Sequence, residues 1–298
     1  MHVVISGSSG LIGSALVEHL RAGGHRVTRL VRGGAASGTD TAPWDPAAGT
    51  LAPSVIDGVD AVVNLSGAGI GDHRWTDAYK RELLDSRTLT TGLLARTIAQ
   101  VERPPSAFIS GSAIGWYGAR GDEELDETST PGDTFLADIC VQWEAATAPA
   151  EAAGVRTAHI RTGIVLSGRG GALKKQLPLF KLGLGGKFGS GKQWQSWISI
   201  DDEIAAITHL LTSTLAGPVN LTAPNPVTNR EFTKVLSDVL HRPALLPIPS
   251  FGPKLLLGGE LAEALLFTGQ RVLPAQLEVD GFRFAHPTLG DALQAMLG

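Results

Sequence analysis

The residues with the clearest chemical promise lie near the amino end, in Ser6-Gly7-Ser8-Ser9-Gly10-Leu11-Ile12-Gly13. An apolar run, Val3–Ser6, feeds this turn, and an amphipathic stretch with Ala15, Leu16 and Leu20 follows it. Where side chains are missing, the main chain can approach a diphosphate closely. The start of a helix then offers that anion free N–H groups and a partial positive charge. The spacing Gly-x-x-Gly-x-x-Gly is not the commoner Gly-x-Gly-x-x-Gly, and glycine spacing alone also fits ordinary turns. Placement between the first strand and first helix of an alternating α/β chain is what makes Gly7, Ser8, Ser9, Gly10, Leu11, Ile12 and Gly13 a dinucleotide site.

A second signal follows the next strand, which ends Leu30-Val31-Arg32. Folds that select NAD place an Asp or Glu about 20 residues beyond the glycines, on the ribose 2′-hydroxyl. No carboxylate occurs between Glu18 and Asp40, whereas Arg29 and Arg32 do. Arg32 either pairs with a 2′-phosphate, which favours NADP(H), or stands solvated beside a loop.

These residues need a scaffold, and the pattern supplies one. Strands are expected at Val3–Ser6, Arg26–Val31, Ala61–Ser66, Ala107–Ser112 and Arg156–Leu166, with helices near 10–22, 76–100 and 136–153. Runs such as Val62-Val63-Asn64-Leu65 lack alternation, as in parallel strands covered on both faces. The expected fold is α/β: a Rossmann-type doubly wound parallel sheet with a smaller mixed C-terminal lobe. Residues 1–166 with a returning strand at 218–223 would form the nucleotide-binding domain, and 167–217 with 224–298 the substrate or partner lobe. In that lobe Thr228 and Glu231 fit a capping box opening a helix at 229–240, and Asp201-Asp202 an N-cap and first turn for a helix at 203–214.

Composition narrows the classes further. Of 298 residues 43% are hydrophobic and 18% charged, enough to bury a core and unlike a disordered chain. The net charge of −4 excludes a nucleic-acid-tracking surface, and one cysteine permits neither an intrachain disulfide nor a cysteine-cluster zinc site. The histidines show no i,i+4 pairing, so no helical metal site is expected. Without a secretory leader or a long apolar stretch, a cytoplasmic protein with no membrane contact is expected.

Three groups of residues carry a family resemblance. They are the turn at 7–13; Asn64-Leu65-Ser66-Gly67-Ala68; and the segment from Ser112 to Tyr117-Gly118. In these the chain resembles the extended short-chain dehydrogenase/reductases. Arg74-Trp75, Asp85-Ser86-Arg87, Gly115-Trp116-Tyr117-Gly118, Phe135-Leu136-Ala137, Trp143-Glu144 and Arg161-Thr162-Gly163 narrow this to the atypical epimerase family proteins, the SulA-like nucleoside-diphosphate-sugar epimerase branch. The resemblance implies NADP(H) binding with Leu65, Ser66 and Gly67 at the cofactor. It implies an epimerase-like oxidoreductase acting on an unidentified small carbonyl or hydroxyl or nucleotide-sugar-like compound, and it makes a homodimer plausible.

One part of the superfamily pattern is missing. Its acid–base chemistry uses a Ser, a Tyr and a Lys four residues beyond the Tyr. Ser112 stands at the serine position, but Leu136 and Cys140 occupy the Tyr and Lys positions, and a shift of one gives Phe135 and Ile139. Ser112 and Tyr117 are therefore the candidate catalytic residues, with Cys140 either a nucleophile or a small buried hydrophobe. Trp116, Phe135, Arg161, Lys192 and Trp197 are candidate substrate contacts. A catalytically impaired, cofactor-binding regulatory or scaffolding protein is the alternative.

Overall fold

A computed structural model describes residues 1–33, 40–244 and 246–298. In chain order its strands are β1 (His2–Ser6), β2 (Arg26–Val31), β3 (Thr41–Asp45), β4 (Thr50–Leu51), β5 (Ala61–Asn64), β6 (Ala107–Ala113), β7 (Glu124–Leu125), β8 (Arg156–Thr162), β9 (Ile164–Leu166), β10 (Trp194–Gln195), β11 (Trp197–Ser199), β12 (Gly217–Leu221), β13 (Val227–Thr228) and β14 (Arg271–Val272). Eight form one sheet in the order β12-β8-β6-β5-β1-β2-β3-β4. Every neighbouring pair in it is parallel except β3 with β4 at the edge. The small sheets pair β9 with β11, β10 with β13 and β7 with β14.

The unalternating apolar runs have a simple cause. Val3, Ile5, Val63 and Ile109 point to one core, shared with Leu16 and Leu20 of α1 (Leu11–Ala22). Val4, Val62 and Phe108 point to the other, shared with Leu94 and Ile98 of α2 (Asp77–Gln100). Both sheet faces are covered, so successive residues are all apolar.

The fold departs from expectation at three places. Pro43 lies inside β3, and a proline within a short run argues against a strand, so this edge was not anticipated. The segment expected as one strand over 156–166 divides into β8 and β9 at Gly163, where a Cβ would stand 2.6 Å from the Ser196 carbonyl oxygen. The helix expected over 136–153 is two, α3 (Phe135–Ala145) and α4 (Ala148–Ala152), the second with Pro149 in its first turn.

Beyond the sheet, α5 (Gly171–Lys181), α6 (Ile200–Leu210) and α7 (Asn229–Leu240) follow. Ser199, not Asp201 or Asp202, caps α6, which begins three residues earlier than the expected 203. Both halves of the Thr228–Glu231 capping box are present on α7. Leu173, Phe180, Trp197, Phe232, Leu236 and Leu293 form a third core. Ile198 and α6, assigned by sequence to the smaller lobe, instead pack with α1 against the large sheet through Ile204, Ile207 and Leu210.

Candidate functional site

The neighbours β1 and β5 send the chain in opposite directions, β1 toward β2 and β5 toward β6, so a crevice opens at their carboxyl ends. Gly7 stands there with φ +68, and a Cβ on it would lie 2.4 Å from the Leu65 carbonyl oxygen. At Gly13 a Cβ would lie 2.2 Å from the Gly7 oxygen. The two absent side chains thus let the loop fold between the end of β5 and the start of α1. Gly10 begins α1 with no side-chain cap and no acidic residue in the first turn, so its N–H groups remain available to an anion. Asn64 fixes the opposite wall: its side-chain oxygen accepts from Ser6 Oγ at 2.6 Å and from the Ser66 N–H at 3.2 Å.

Gly7, Ser8, Ser9, Gly10, Arg32, Leu65, Ser66 and Gly67 together line a cleft of about 1180 Å³. Leu11, Ile12 and Gly13 do not; Ile12 packs against the sheet core and Gly13 is buried beneath Gly7, so their part is to seat the helix. Arg29 also lines the cleft, with a buried Nε that has no partner. Asp45 and Trp44 reach it from β3, a contribution hidden by the unrecognised strand. Oδ1 of Asp45 accepts from the Ala47 and Ala48 N–H groups, both at 3.0 Å.

A second, smaller cavity of about 210 Å³ lies beyond Ala68 and Gly69, lined by Ile70, Arg87, Leu136, Cys140, Thr162 and Gln193 among others. Its walls come from segments singled out in the sequence and from residues 264–270, but most of the named catalytic and substrate candidates are not among the lining residues. Ala113, Gly115, Leu136, Thr162, Gln193 and Ser196 line it, whereas Ser112, Trp116, Phe135, Arg161, Lys192 and Trp197 do not. Successive residues of a strand face opposite ways, which accounts for Ser112 against Ala113, Arg161 against Thr162 and Trp197 against Ser196.

The displaced residues have other work. Ser112 donates to Glu144 Oε1 at 2.6 Å, and Arg161 clasps the same carboxylate through Nε at 2.8 Å and Nη2 at 2.9 Å. Arg161 also donates to the Tyr117 oxygen at 3.1 Å, and the Tyr117 hydroxyl donates to Asn220 at 2.7 Å. Burial pushes the Tyr117 phenol up to about 12, against the pull of Arg161. Tyr117 is sealed and lines neither cavity, so it is not placed to hand a proton to a ligand, and the Ser112 proton is already committed. Ser112 and Tyr117, the expected catalytic pair, thus stand in a hydrogen-bonded brace behind the cavity wall and line neither space.

The expected substrate contacts also line neither space. Trp197 is a core side chain whose Nε1 donates to the Asn225 carbonyl at 3.1 Å. Trp116 lies under Arg161, the guanidinium carbon 3.8 Å from its ring centre. Phe135 meets Trp75 edge-on at 5.1 Å, and Lys192 is exposed away from both cavities. Cys140 does line the small cavity, but burial pushes its thiol up to about 12, which leaves a small hydrophobe and not a nucleophile. Sequence reasoning missed Glu203. It is fully buried, accepts from Thr162 Oγ1 at 2.9 Å, and is pushed by desolvation up to about 8. Among the described residues, no cluster of His, Cys, Asp and Glu could hold a metal ion, and no helix is long and apolar enough to cross a membrane.

A doubly wound parallel sheet with a glycine-built crevice at its switch point defines a Rossmann-type protein with an NAD(P)-dependent oxidoreductase-like fold. Residues 3–222 match the NAD dependent epimerase/dehydratase family, and the chain belongs to that family, within its atypical short-chain dehydrogenase/reductase-like branch. Residues 248–296 match a domain of unknown function, DUF1731. An epimerase family protein of Mycobacterium bovis is 45% identical, over 98% of this chain and 96% of its own. The crystal structure of human epimerase family protein SDR39U1 (isoform 2) with NADPH is 35% identical, with a TM-score of 0.90 over 99% of each chain. A dTDP-glucose 4,6-dehydratase from Streptomyces venezuelae, solved with NAD and TYD, shares the fold at 18% identity, with a TM-score of 0.75 over 99% of this chain and 95% of its own.

Proposed function

We propose that this protein is an NADP(H)-dependent oxidoreductase acting on a small carbonyl or hydroxyl compound held in the smaller cavity. The observation that carries the reading is that one loop borders both spaces: Ala68 and Gly69 line the cleft, and Ile70 the cavity. A loop that any Cβ would obstruct, an uncapped helix start and two arginines at the far end fit a 2′-phosphorylated dinucleotide. Gly7, Ser8, Ser9 and Gly10 would hold its diphosphate, Arg32 with Arg29 its extra phosphate, and Leu65–Gly67 its midsection. When bound, that cofactor supplies or accepts a hydride. The human relative's complex with NADPH supports the choice.

The chain's own contribution is a small, largely apolar surround. Leu136, Ile139 and Ile164 shield a space of about 210 Å³, below the roughly 300–1,000 Å³ of drug-sized ligand sites, which favours a small compound over a nucleotide sugar. Division of the chain into a cofactor domain and a smaller substrate lobe is part of this reading. The apolar Leu136 and Cys140 at the Tyr and Lys positions favour a second reading, a cofactor-loaded protein that regulates or scaffolds without turnover.

Calorimetry with NADPH and NADH tests the cofactor assignment. NADPH should bind at least about 10-fold tighter, a difference of ~1.4 kcal/mol, and Arg32→Asp should reverse the preference. Equal affinities remove Arg32 from the role, and no binding of either nucleotide removes the reading altogether. NADPH binding with no oxidation across a carbonyl panel selects the second reading.

A further inference from the structure

Two arginines lie deep inside the described residues, and only one has its counter-charge. Arg161 is 3% exposed and clasps Glu144 with two hydrogen bonds. Arg87 of α2 is 7% exposed, and no described carboxylate lies within ion-pair distance of it. Its Nη1 donates to the Leu83 carbonyl at 2.8 Å and its Nη2 to the Ala68 carbonyl at 3.0 Å, and it stacks 5.1 Å from the Trp143 ring centre. Two main-chain dipoles and a ring face do not neutralise a full charge. An unpaired buried ion costs several kcal/mol.

The groups around Arg87 cannot make up the difference. Burial raises both the Cys140 thiol and the Tyr79 phenol, so neither is an anion near neutral pH. Desolvation lowers Arg87 itself, as for any cation held away from water. Yet Arg87 lines the small cavity and not the wide cleft. Ile70, Leu136, Ile139, Gln193 and Gln195 also line that cavity; the Gln193 amide donates to the Phe188 and Leu266 carbonyls, and Gln195 has a buried Oε1 with no partner.

We infer that the small cavity takes an apolar carboxylic acid, its carboxylate set against Arg87 and its hydrocarbon body against Ile70, Leu136 and Ile139. Three of the five guanidinium N–H groups remain after the two main-chain bonds, and a planar carboxylate is the anion that accepts from them in parallel. Arg87 also stands in the same wall as Cys140, so a cation from α2 serves a site whose superfamily lysine position holds a neutral thiol. The inference names the substrate class within the proposed function and rests on that reading for a cofactor bound alongside.

The probes are 3-methylbutanoate and the isosteric amide 3-methylbutanamide, titrated into the full chain with and without saturating NADPH. The acid is expected to bind at least about 10-fold tighter than the amide. Arg87→Met should abolish that preference, Arg87→Lys should keep part of it, and NADPH affinity should stay within about 3-fold in both. Arg87→Met should not lower the melting temperature, because an uncompensated ion has been removed. Equal binding of acid and amide by the wild type, or no saturable binding of the acid up to about 10 mM, overturns the inference. So does an acid preference that survives Arg87→Met. A 10-fold or greater loss of NADPH affinity in Arg87→Met assigns the residue to the cofactor instead. Failure of the wild type to bind NADPH defeats the proposed function separately, since the acid titration without cofactor still reports on Arg87.

Discussion

The brace behind β6 and the cavity in front of it each bury one arginine, and they treat the charge in opposite ways. In the brace, Arg161 and Glu144 neutralise one another, Ser112 takes up a further carboxylate lone pair, and Tyr117 passes the network on to Asn220. The result is closed: each of these groups has a partner, and none faces a ligand space. In the cavity, Arg87 has only main-chain carbonyls and an indole face. A fold that can pair one buried guanidinium so completely leaves the other open where a ligand would sit. Polar groups serving stability are satisfied from within, and those serving recognition are satisfied on binding.

The sharpest way to break this contrast is to make the brace resemble the cavity. Glu144→Gln keeps the shape and removes the charge, leaving Arg161 buried without its counter-ion. Removing one partner of a buried pair costs about 3–5 kcal/mol, so urea denaturation should show a loss in that range. A loss under ~1 kcal/mol, the range of an exposed pair, would mean that Arg161 finds enough solvation elsewhere, and Arg87 would then be no special case.

Glu203 gives the next largest effect and concerns an acid instead of a base. It has no cation beside it, and burial pushes its carboxyl from 4.5 up to about 8. The folded state therefore keeps a proton that the unfolded chain releases above 4.5, and the stability tied to that proton is lost as pH rises toward 8. Between pH 5 and 8 the loss amounts to about 3 kcal/mol. Glu203→Gln should flatten that part of the profile and be the more stable form at pH 8, as read by denaturant midpoints across the range. Identical pH profiles for the two proteins would show that Glu203 is ionised in place.

How much of this was legible follows from what carries each part. The cleft is built from main chain, and main-chain geometry leaves its mark locally: Gly7, Gly10 and Gly13 at fixed spacing after an apolar run announce the turn. The core strands were readable for the same reason, since each run carries its own burial pattern. The cavity is built from α2, α3, β6, β8, the stretch around β10 and residues 264–270, which come together only in the folded chain. Sequence singled out all but the last of these segments but not the phase within them, so Arg161 stood in for Thr162 and Lys192 for Gln193. Phase depends on which face a strand or loop turns inward, and between Arg161 and Thr162 no local alternation decides it. Arg87 appeared in the motif Asp85-Ser86-Arg87, yet its burial without a counter-charge is a property of three dimensions alone.

The smallest expected effect belongs to Tyr117, and it tests whether the brace is closed to chemistry. The hydroxyl donates to Asn220 and accepts from Arg161, and its ring is fully buried under Val272 and Leu125. Tyr117→Phe keeps the ring and strips two hydrogen bonds, which at about 0.5–1.5 kcal/mol each gives a loss of roughly 1–3 kcal/mol in stability. Because Asn220 Nδ2 still donates to the Leu273 carbonyl at 2.9 Å and Arg161 keeps Glu144, the network can relax, which places the result at the lower end. NADPH affinity should not move. Should the variant instead fold normally while losing nucleotide affinity or any NADPH oxidation the wild type shows, the phenol would have to reach the ligand space by a movement of the segment 114–118, and the brace would no longer count as sealed.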